Sequence, residues 1–104
     1  MPSPSAPDLS APAMLLQALA NAKRLHVMQL LHANEWDVTS LAERVGLSQS
    51  ALSQHLSKLR AARLVSTRRV AQTVFYSCNS VTVAQILAVL KIDLAATDGS
   101  LLAA

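Results

Sequence analysis

Apolar residues recur every three or four positions over most of this chain, a spacing that predicts amphipathic helices. The first predicted helix spans residues 10–20. Ser10 is expected to cap its start, and Pro12 occupies the first turn, where the missing N–H costs little. A second helix is predicted to follow the cap residue Asn21 and to end near Asn34.

The next two predicted helices are separated only by a short turn that contains Gly46. The shorter helix has the sequence SLAERV and is expected to open at Thr39 or Ser40. The longer one is capped by Ser48 and runs to about Ala62. A short helix, a glycine-containing turn and a longer helix are the elements of a helix-turn-helix.

The hydrophobic period then changes from helical to alternating. Residues 64–70 and 73–79 are rich in Val, Thr, Phe and Tyr, and Ala71 and Gln72 join them, which predicts a β-hairpin. A last helix begins after Ser80. The predicted fold class is therefore mainly α with a small β-hairpin, a winged helix-turn-helix with the element order α-α-α-α-β-β-α.

The 104 residues are predicted to form one domain, spanning residues 10–97. A disordered leader rich in Pro, Ser and Ala is expected over residues 1–9, and a frayed tail over residues 98–104. Cys78 is the only cysteine, which excludes an internal disulfide and fits a reducing compartment. We find neither a signal peptide nor a run of membrane-spanning length, so we expect a cytoplasmic protein with no membrane partner.

The net charge of +3 is unevenly distributed along the chain. All six acidic residues lie outside the segment from Arg44 to Ile92, which carries basic residues throughout. Such one-sided charge focuses a positive potential that attracts a polyanion. A merely solvated basic surface would normally include acids among the bases, so the charge pattern favours double-stranded DNA as the partner.

The fourth predicted helix has two contrasting faces. Leu52, Leu56 and Leu59 fall within a narrow arc and are expected to pack on the preceding helix. The opposite face carries Ser, Gln and Lys, which can bind base edges and phosphates in a major groove, whereas a helix built for stability alone would favour Ala and Glu. The predicted DNA-binding residues on this helix are Ser48, Gln49, Ser50, Ser53, Gln54, Ser57, Lys58 and Arg60.

The hairpin supplies the remaining predicted DNA contacts. Arg68 and Arg69 precede its tip, where they can straddle phosphates or enter a minor groove, and Gln72 lies at the tip itself. Because successive strand residues point to opposite faces, only one of the two arginines is expected to be fully free.

The segment from Ala18 to Leu90 resembles the ArsR/SmtB family of bacterial winged-helix repressors. The resemblance is carried by LANAKRLHVMQLL, TSLAERVGLSQSALSQHLSKLRAARLV and TRRVAQTVFYS. Within the family, the run VGLSQSALSQHLSKLR with LVSTRR and AQT is most similar to the rhizobial nodulation-gene repressor branch. The resemblance implies a homodimer that is built on the first and last helices and binds an imperfect palindrome, with one recognition helix per half-site.

The composition agrees with a dimer. Hydrophobic residues make up 52% of the chain, more than a small domain needs for its own core. The expected interface residues are Leu15, Leu19, Val83, Leu87, Leu90 and Leu94.

The resemblance also implies a test for metal sensing, because many relatives release DNA when a metal binds. Where the arsenic and cadmium sensors place cysteines, this chain has Asp37, Val38 and Thr39, and where the zinc and nickel sensors place Asp and His pairs, it has Asp93 alone. We therefore expect neither a metal site nor another cofactor.

The predicted function is a sequence-specific transcriptional repressor without a metal co-effector. Two alternatives stay open: a redox-responsive repressor that uses Cys78, and a sequence-tolerant architectural DNA-binding protein, although the latter would rely on Lys and Arg rather than Ser and Gln. His55 lies beside the leucine stripe and is expected to pack there or to contact a phosphate. An enzyme is not expected, because the sequence shows no nucleophile–base pair, paired carboxylates or phosphate-binding loop.

Overall fold

The computed structural model describes residues 6–93. They form five helices and a three-stranded antiparallel sheet, which confirms the predicted fold class. The elements are α1 (Ser10–Leu19), α2 (Ala22–Ala33), β1 (Trp36–Asp37), α3 (Val38–Val45), α4 (Gln49–Ala61), β2 (Ser66–Val70), β3 (Thr73–Ser77) and α5 (Val81–Val89). Most of the predicted leader, the predicted tail and Leu94 lie outside the described residues.

Two of the predicted helix caps are present. The Asn21 side chain accepts a hydrogen bond from the Arg24 N–H at the start of α2, and the Ser48 hydroxyl accepts one from the Ala51 N–H at the start of α4. Each cap satisfies one of the N–H groups that a helix leaves unpaired in its first turn. These local signals were sufficient to locate both helix starts.

The predicted cap of α1 and the predicted first residue of α3 were wrong. Ser10 is the first residue of α1 and not its cap: Leu9 is at the cap position, the helix has no side-chain cap hydrogen bond, and the Ser10 N–H donates to the Asp8 carboxylate at 3.0 Å. Helix α3 begins at Val38, before Thr39, because the Asp37 carboxylate accepts the Ser40 N–H at 3.1 Å. At α3 a carboxylate therefore caps the helix where a hydroxyl residue had been expected to open it, whereas α1 begins without a side-chain cap.

The hairpin is confirmed, with strands shorter than predicted. Ser66 pairs with Ser77 and Val70 with Thr73, which leaves a turn of two residues. Residues 64 and 65 precede β2 because the Leu64 N–H donates to the Leu59 carbonyl and closes the end of α4. Cys78 follows β3 because its N–H donates to the Leu31 carbonyl instead of continuing the ladder.

The sheet has a third strand that the sequence pattern did not predict. In β1, Trp36 pairs with Tyr76 and Asp37 with Phe75, which makes β3 the central strand in the order β1-β3-β2. Two residues are too few to show an alternating pattern. The strand attaches the base of the hairpin to the loop that follows α2.

The core is mainly aliphatic, and it lies among all five helices. Leu52, Leu56 and Leu59 are at most 2% exposed, so the predicted leucine stripe fixes α4 onto the body of the protein. The described residues contain no helix that is long and apolar enough to cross a lipid bilayer.

The predicted dimer face requires a correction. Leu19, Val83 and Leu87 are at most 3% exposed within a single chain, because α1 and α5 both pack against α2. These side chains belong to the core of one chain and leave no surface for a partner. The exposed apolar side chains of the two helices are instead Met14, Leu16, Val81 and Val89, together with Leu90, which follows α5.

Candidate nucleic-acid interface

The turn between α3 and α4 sets the orientation of the two helices. Gly46 adopts a left-handed backbone conformation (φ 73°), and its N–H donates to the carbonyls of Ala42 and Glu43 in α3. The Lys23 ammonium also donates to the Val45 carbonyl, which joins this helix end to α2. Glycine is needed here because of the positive φ. A side chain would fit in the available space, but a residue with a Cβ would be strained in this backbone conformation.

The outward side of α4 carries the predicted polar residues, and all of them are exposed. We define the reading face as Ser50, Ser53, Gln54, Ser57 and Lys58. Part of it, with Ala61, lines a shallow open groove along the helix. Within residues 6–93, the Ser53, Gln54, Ser57 and Lys58 side chains form no hydrogen bond, so their donors and acceptors are available to a ligand.

Two residues at the start of α4 have structural partners. The Ser48 hydroxyl caps the helix, as described above. The Gln49 amide donates to the Thr39 hydroxyl at 3.2 Å and ties α4 to α3. Both side chains are exposed, but they help to position the helix.

The two wing arginines have different environments. Arg68 donates to both carboxylate oxygens of Glu35, at 2.9 Å from Nε and 2.7 Å from Nη2, and its guanidinium lies 5.6 Å from the centre of the Phe75 ring. The bonded Arg68 lowers the pKa of Glu35. Arg69 lies on the opposite face of β2, and among the described residues its side chain has no ion pair.

This ion pair qualifies the charge argument made from the sequence. The segment from Arg44 to Ile92 contains no acid, yet the fold places Glu35 against it. Other exposed basic side chains of this segment include Lys58 and Arg60 on α4, Arg63 after it and Arg69 on the wing, and Gln72 is exposed at the tip.

A buried arginine, not predicted from the sequence, lies behind α4. Arg24 is 8% exposed, and its guanidinium donates to the carbonyls of Ala18 and Gln17, at the end of α1, and to Nδ1 of His55 on α4 at 3.2 Å. Because arginine only donates, this His55 nitrogen must be unprotonated. Burial and the nearby charges of Arg24 and Lys58 lower the pKa of His55. Arg24 lies on the same helical face as Met28 and Leu31, which are buried. This spacing was the one feature of the sequence that could have indicated that Arg24 is buried.

The remaining candidate groups for metal or redox chemistry are dispersed. His32 Nε2 donates to the Ser80 carbonyl, and His26 has a pKa that burial lowers. Cys78 is 2% exposed, and burial raises the pKa of its thiol, which disfavours the reactive thiolate. In the part of the chain that the structure describes, no three His, Cys, Asp or Glu side chains are grouped as a metal site.

Comparison with known proteins adds to this geometry. The profile of the family described as "Bacterial regulatory protein, arsR family" matches residues 21–67. The nodulation protein NolR of Rhizobium meliloti is 56% identical over 84 residues, which cover 81% of this chain and 69% of that protein. The transcriptional activator HlyU of Vibrio cholerae is 49% identical over 77 residues, covering 74% of this chain and 71% of HlyU.

Solved structures give the same relationship. The crystal structure of NolR from Sinorhizobium fredii superimposes with a TM-score of 0.80 at 51% sequence identity. The match covers 91% of this chain and 100% of the NolR chain. The matched segment includes the helix pair, the hairpin and the helices on either side of them.

Proposed function

Because this chain belongs to the arsR family of bacterial regulatory proteins and is a DNA-binding transcriptional regulator, we propose that it is a homodimeric, sequence-specific repressor. It binds an imperfect palindrome, places one α4 helix in the major groove of each half-site, and needs no metal co-effector. Its relatives are regulators and not enzymes, as the sequence predicted.

The reading face of α4 is the observation that carries this proposal. Leu52, Leu56 and Leu59 hold one side of the helix in the core, so the opposite side projects outward at a fixed angle. Its Ser, Gln and Lys side chains have free hydrogen-bonding groups and no neighbouring carboxylate on the helix. Gln54 offers an amide that can bond adenine in two places, and Lys58 offers a cation for guanine or phosphate.

The wing adds contacts that do not depend on base sequence. Arg69 and Gln72 are exposed near the tip and are proposed to bind the phosphate backbone or a minor groove. Arg68 is proposed to contribute less than Arg69, because Glu35 already neutralises it. Arg60, in the last turn of α4, is exposed beside the reading face and is proposed to bind phosphate.

The dimer is proposed to form through apolar side chains that the single chain leaves uncovered. On α5, Val81 is 70% exposed and Val89 is 78% exposed, and Leu90 follows at 52%. On α1, Met14 and Leu16 are also about half exposed, while Leu15 is partly buried. Joining these faces across a two-fold axis would remove most of the large exposed apolar side chains of the described residues from water.

Metal independence is proposed from the roles of the residues at the family's ligand positions. Asp37 caps α3, and its hydrogen bonds with Ser40 lower its pKa, so this carboxylate already has a structural partner. Its neighbours Val38 and Thr39 are not soft-metal ligands.

Selection of preferred sites from a random duplex pool tests the proposed function. Purified protein is incubated with the pool at physiological salt and with a chelator present. We expect enrichment of a palindrome whose half-sites lie about one helical turn apart. Binding without enrichment would instead indicate an architectural protein, and enrichment only after a metal is added would contradict metal independence.

A further inference from the structure

A cavity of about 230 Å³ lies between α1 and α4, on the side of α4 that adjoins the reading face. Its lining residues are Met14, Gln17, Ala18, Arg24, Lys58 and Ala61. The cavity therefore connects a helix that carries part of the proposed dimer surface with the helix that is proposed to enter DNA.

Arg24 gives this cavity a buried positive charge. Its three hydrogen-bond acceptors are the Gln17 carbonyl, the Ala18 carbonyl and the His55 ring, and all three are neutral. Within residues 6–93, no carboxylate bonds to this guanidinium. Carbonyls at a helix end offset only part of a full charge, and a buried cation is costly unless an anion accompanies it.

Lys58 adds a second cation at the exposed part of the same cavity. Both Arg24 and Lys58 lie close enough to His55 to lower its pKa by charge repulsion, which places the two cations near the same neutral ring. The Lys58 ammonium has no hydrogen bond within the described chain. Three of the five guanidinium N–H donors of Arg24 are used, which leaves two.

We propose that this cavity binds one phosphate or carboxylate group, which Arg24 holds from within and Lys58 from the mouth. The fork of donors on arginine matches the oxygens of such groups. The group comes either from a small free anion or from the DNA backbone beside α4. The consequence for DNA binding rests on the proposed function, whereas the binding of the anion does not.

Titration of the full chain with inorganic phosphate, without DNA, is the first test. Isotope-labelled protein is followed by NMR at the Arg24 Nε–H and the Ala61 N–H, with sodium chloride used to keep the ionic strength constant. We expect saturable shifts at both groups. Lys58→Gln should weaken phosphate binding about threefold and Arg24→Lys about tenfold, because each removes charge-assisted hydrogen bonds.

Lys91→Gln is the matched control, since it removes the same charge from an exposed lysine beyond the end of α5. It should leave the phosphate affinity unchanged. Because Lys58 is exposed, the Lys58→Gln protein is expected to fold. It therefore still tests the site if the Arg24→Lys protein does not fold. Equal weakening by Lys58→Gln and Lys91→Gln would show only general charge screening, and it would overturn a site for free anions.

Experiments with DNA separate the two sources of the anion. If the source is a free anion, phosphate weakens binding of the selected duplex more than chloride at equal ionic strength, and Lys58→Gln removes the difference. If the source is DNA, a neutral methylphosphonate at one backbone position of the duplex weakens DNA binding by the wild type but not by the Lys58→Gln variant. In that case the NMR titration with free phosphate does not reach saturation. The proposal is overturned if free phosphate does not saturate and the methylphosphonate has no effect that depends on Lys58, whereas phosphate binding by a protein that selects no DNA overturns only the proposed function.

Discussion

Arg68 and Glu35 form a two-point ion pair across the central strand of the sheet, although they are 33 positions apart in the sequence. Glu35 directly precedes β1, Arg68 lies on β2, and Phe75 on β3 lies between them beneath the guanidinium. Both side chains are substantially exposed, so the pair contributes little to folding stability. Its main effect is on the charge that the wing presents.

Glu35→Gln is therefore expected to strengthen DNA binding. Removal of the carboxylate frees Arg68 for a phosphate, which should raise the affinity for cognate and scrambled duplexes alike, by about threefold, and steepen the salt dependence by about 0.9 in the log–log slope. Fluorescence anisotropy at several salt concentrations measures both quantities. Glu43→Gln, at an exposed acid on α3, is the control for net charge. If the two variants behave alike, the ion pair has no specific role in DNA binding.

Gln54→Ala is expected to reduce affinity for the selected palindrome by roughly 1–3 kcal/mol and to broaden the set of bases accepted at one position per half-site. Gln54 is the longest neutral side chain on the reading face and the one suited to a two-point contact with adenine. Competition with single-base variants of the site measures the specificity. Binding to scrambled duplex should not change. An unaltered base preference would mean that α4 lies in the groove with a different face.

The fold was predictable where its determinants are local. The Asn21 and Ser48 caps, the stripe of Leu52, Leu56 and Leu59, and the two-residue hairpin turn each depend on neighbours within a few positions. The strand β1 was missed because two residues are too few to show an alternating hydrophobic pattern. The strand exists only because these residues pair with β3.

The candidate site was less predictable because its contacts are distant in sequence. Val83 and Leu87 were expected to face a partner because they are apolar, but an apolar sequence does not show whether the same chain or a partner covers these side chains. In the same way, no local pattern joins Arg24 to His55 or Arg68 to Glu35, since both contacts exist only once the helices and strands have packed.

Substitutions at two residues of α5 should therefore affect different properties, one the folding stability and the other the self-association. Leu87→Ala removes a fully buried side chain and is expected to lower the free energy of unfolding by about 2–5 kcal/mol, measured by urea denaturation.

Val89→Glu changes a side chain that is 78% exposed, and it should leave helical content intact while it weakens self-association. Sedimentation velocity over a range of concentrations measures the association. A Val89→Glu protein that associates like the wild type would exclude this face from the interface.

Folding stability is expected to fall as the solution is acidified from about pH 7.5 to about pH 5.5. The pKa of His55 is lowered by burial and by Arg24 and Lys58, and that of His26 by burial and by Arg44 and Lys23. Below the ordinary histidine pKa of about 6.5, the unfolded chain therefore binds protons that the folded chain does not, which favours unfolding. The loss begins near that value and levels off once the pH is below the lowered pKa of the folded state.

His55→Asn tests the contribution of the cluster at α1 and α4. The asparagine oxygen can still accept the hydrogen bond from Arg24 Nη1, but the side chain no longer takes up a proton. Urea denaturation across the same pH range should give a flatter pH dependence for this variant, with the remaining slope due to His26 and the other titrating groups. A slope equal to that of the wild type would mean that His55 titrates alike in the folded and unfolded chains, which is incompatible with a neutral ring held against Arg24.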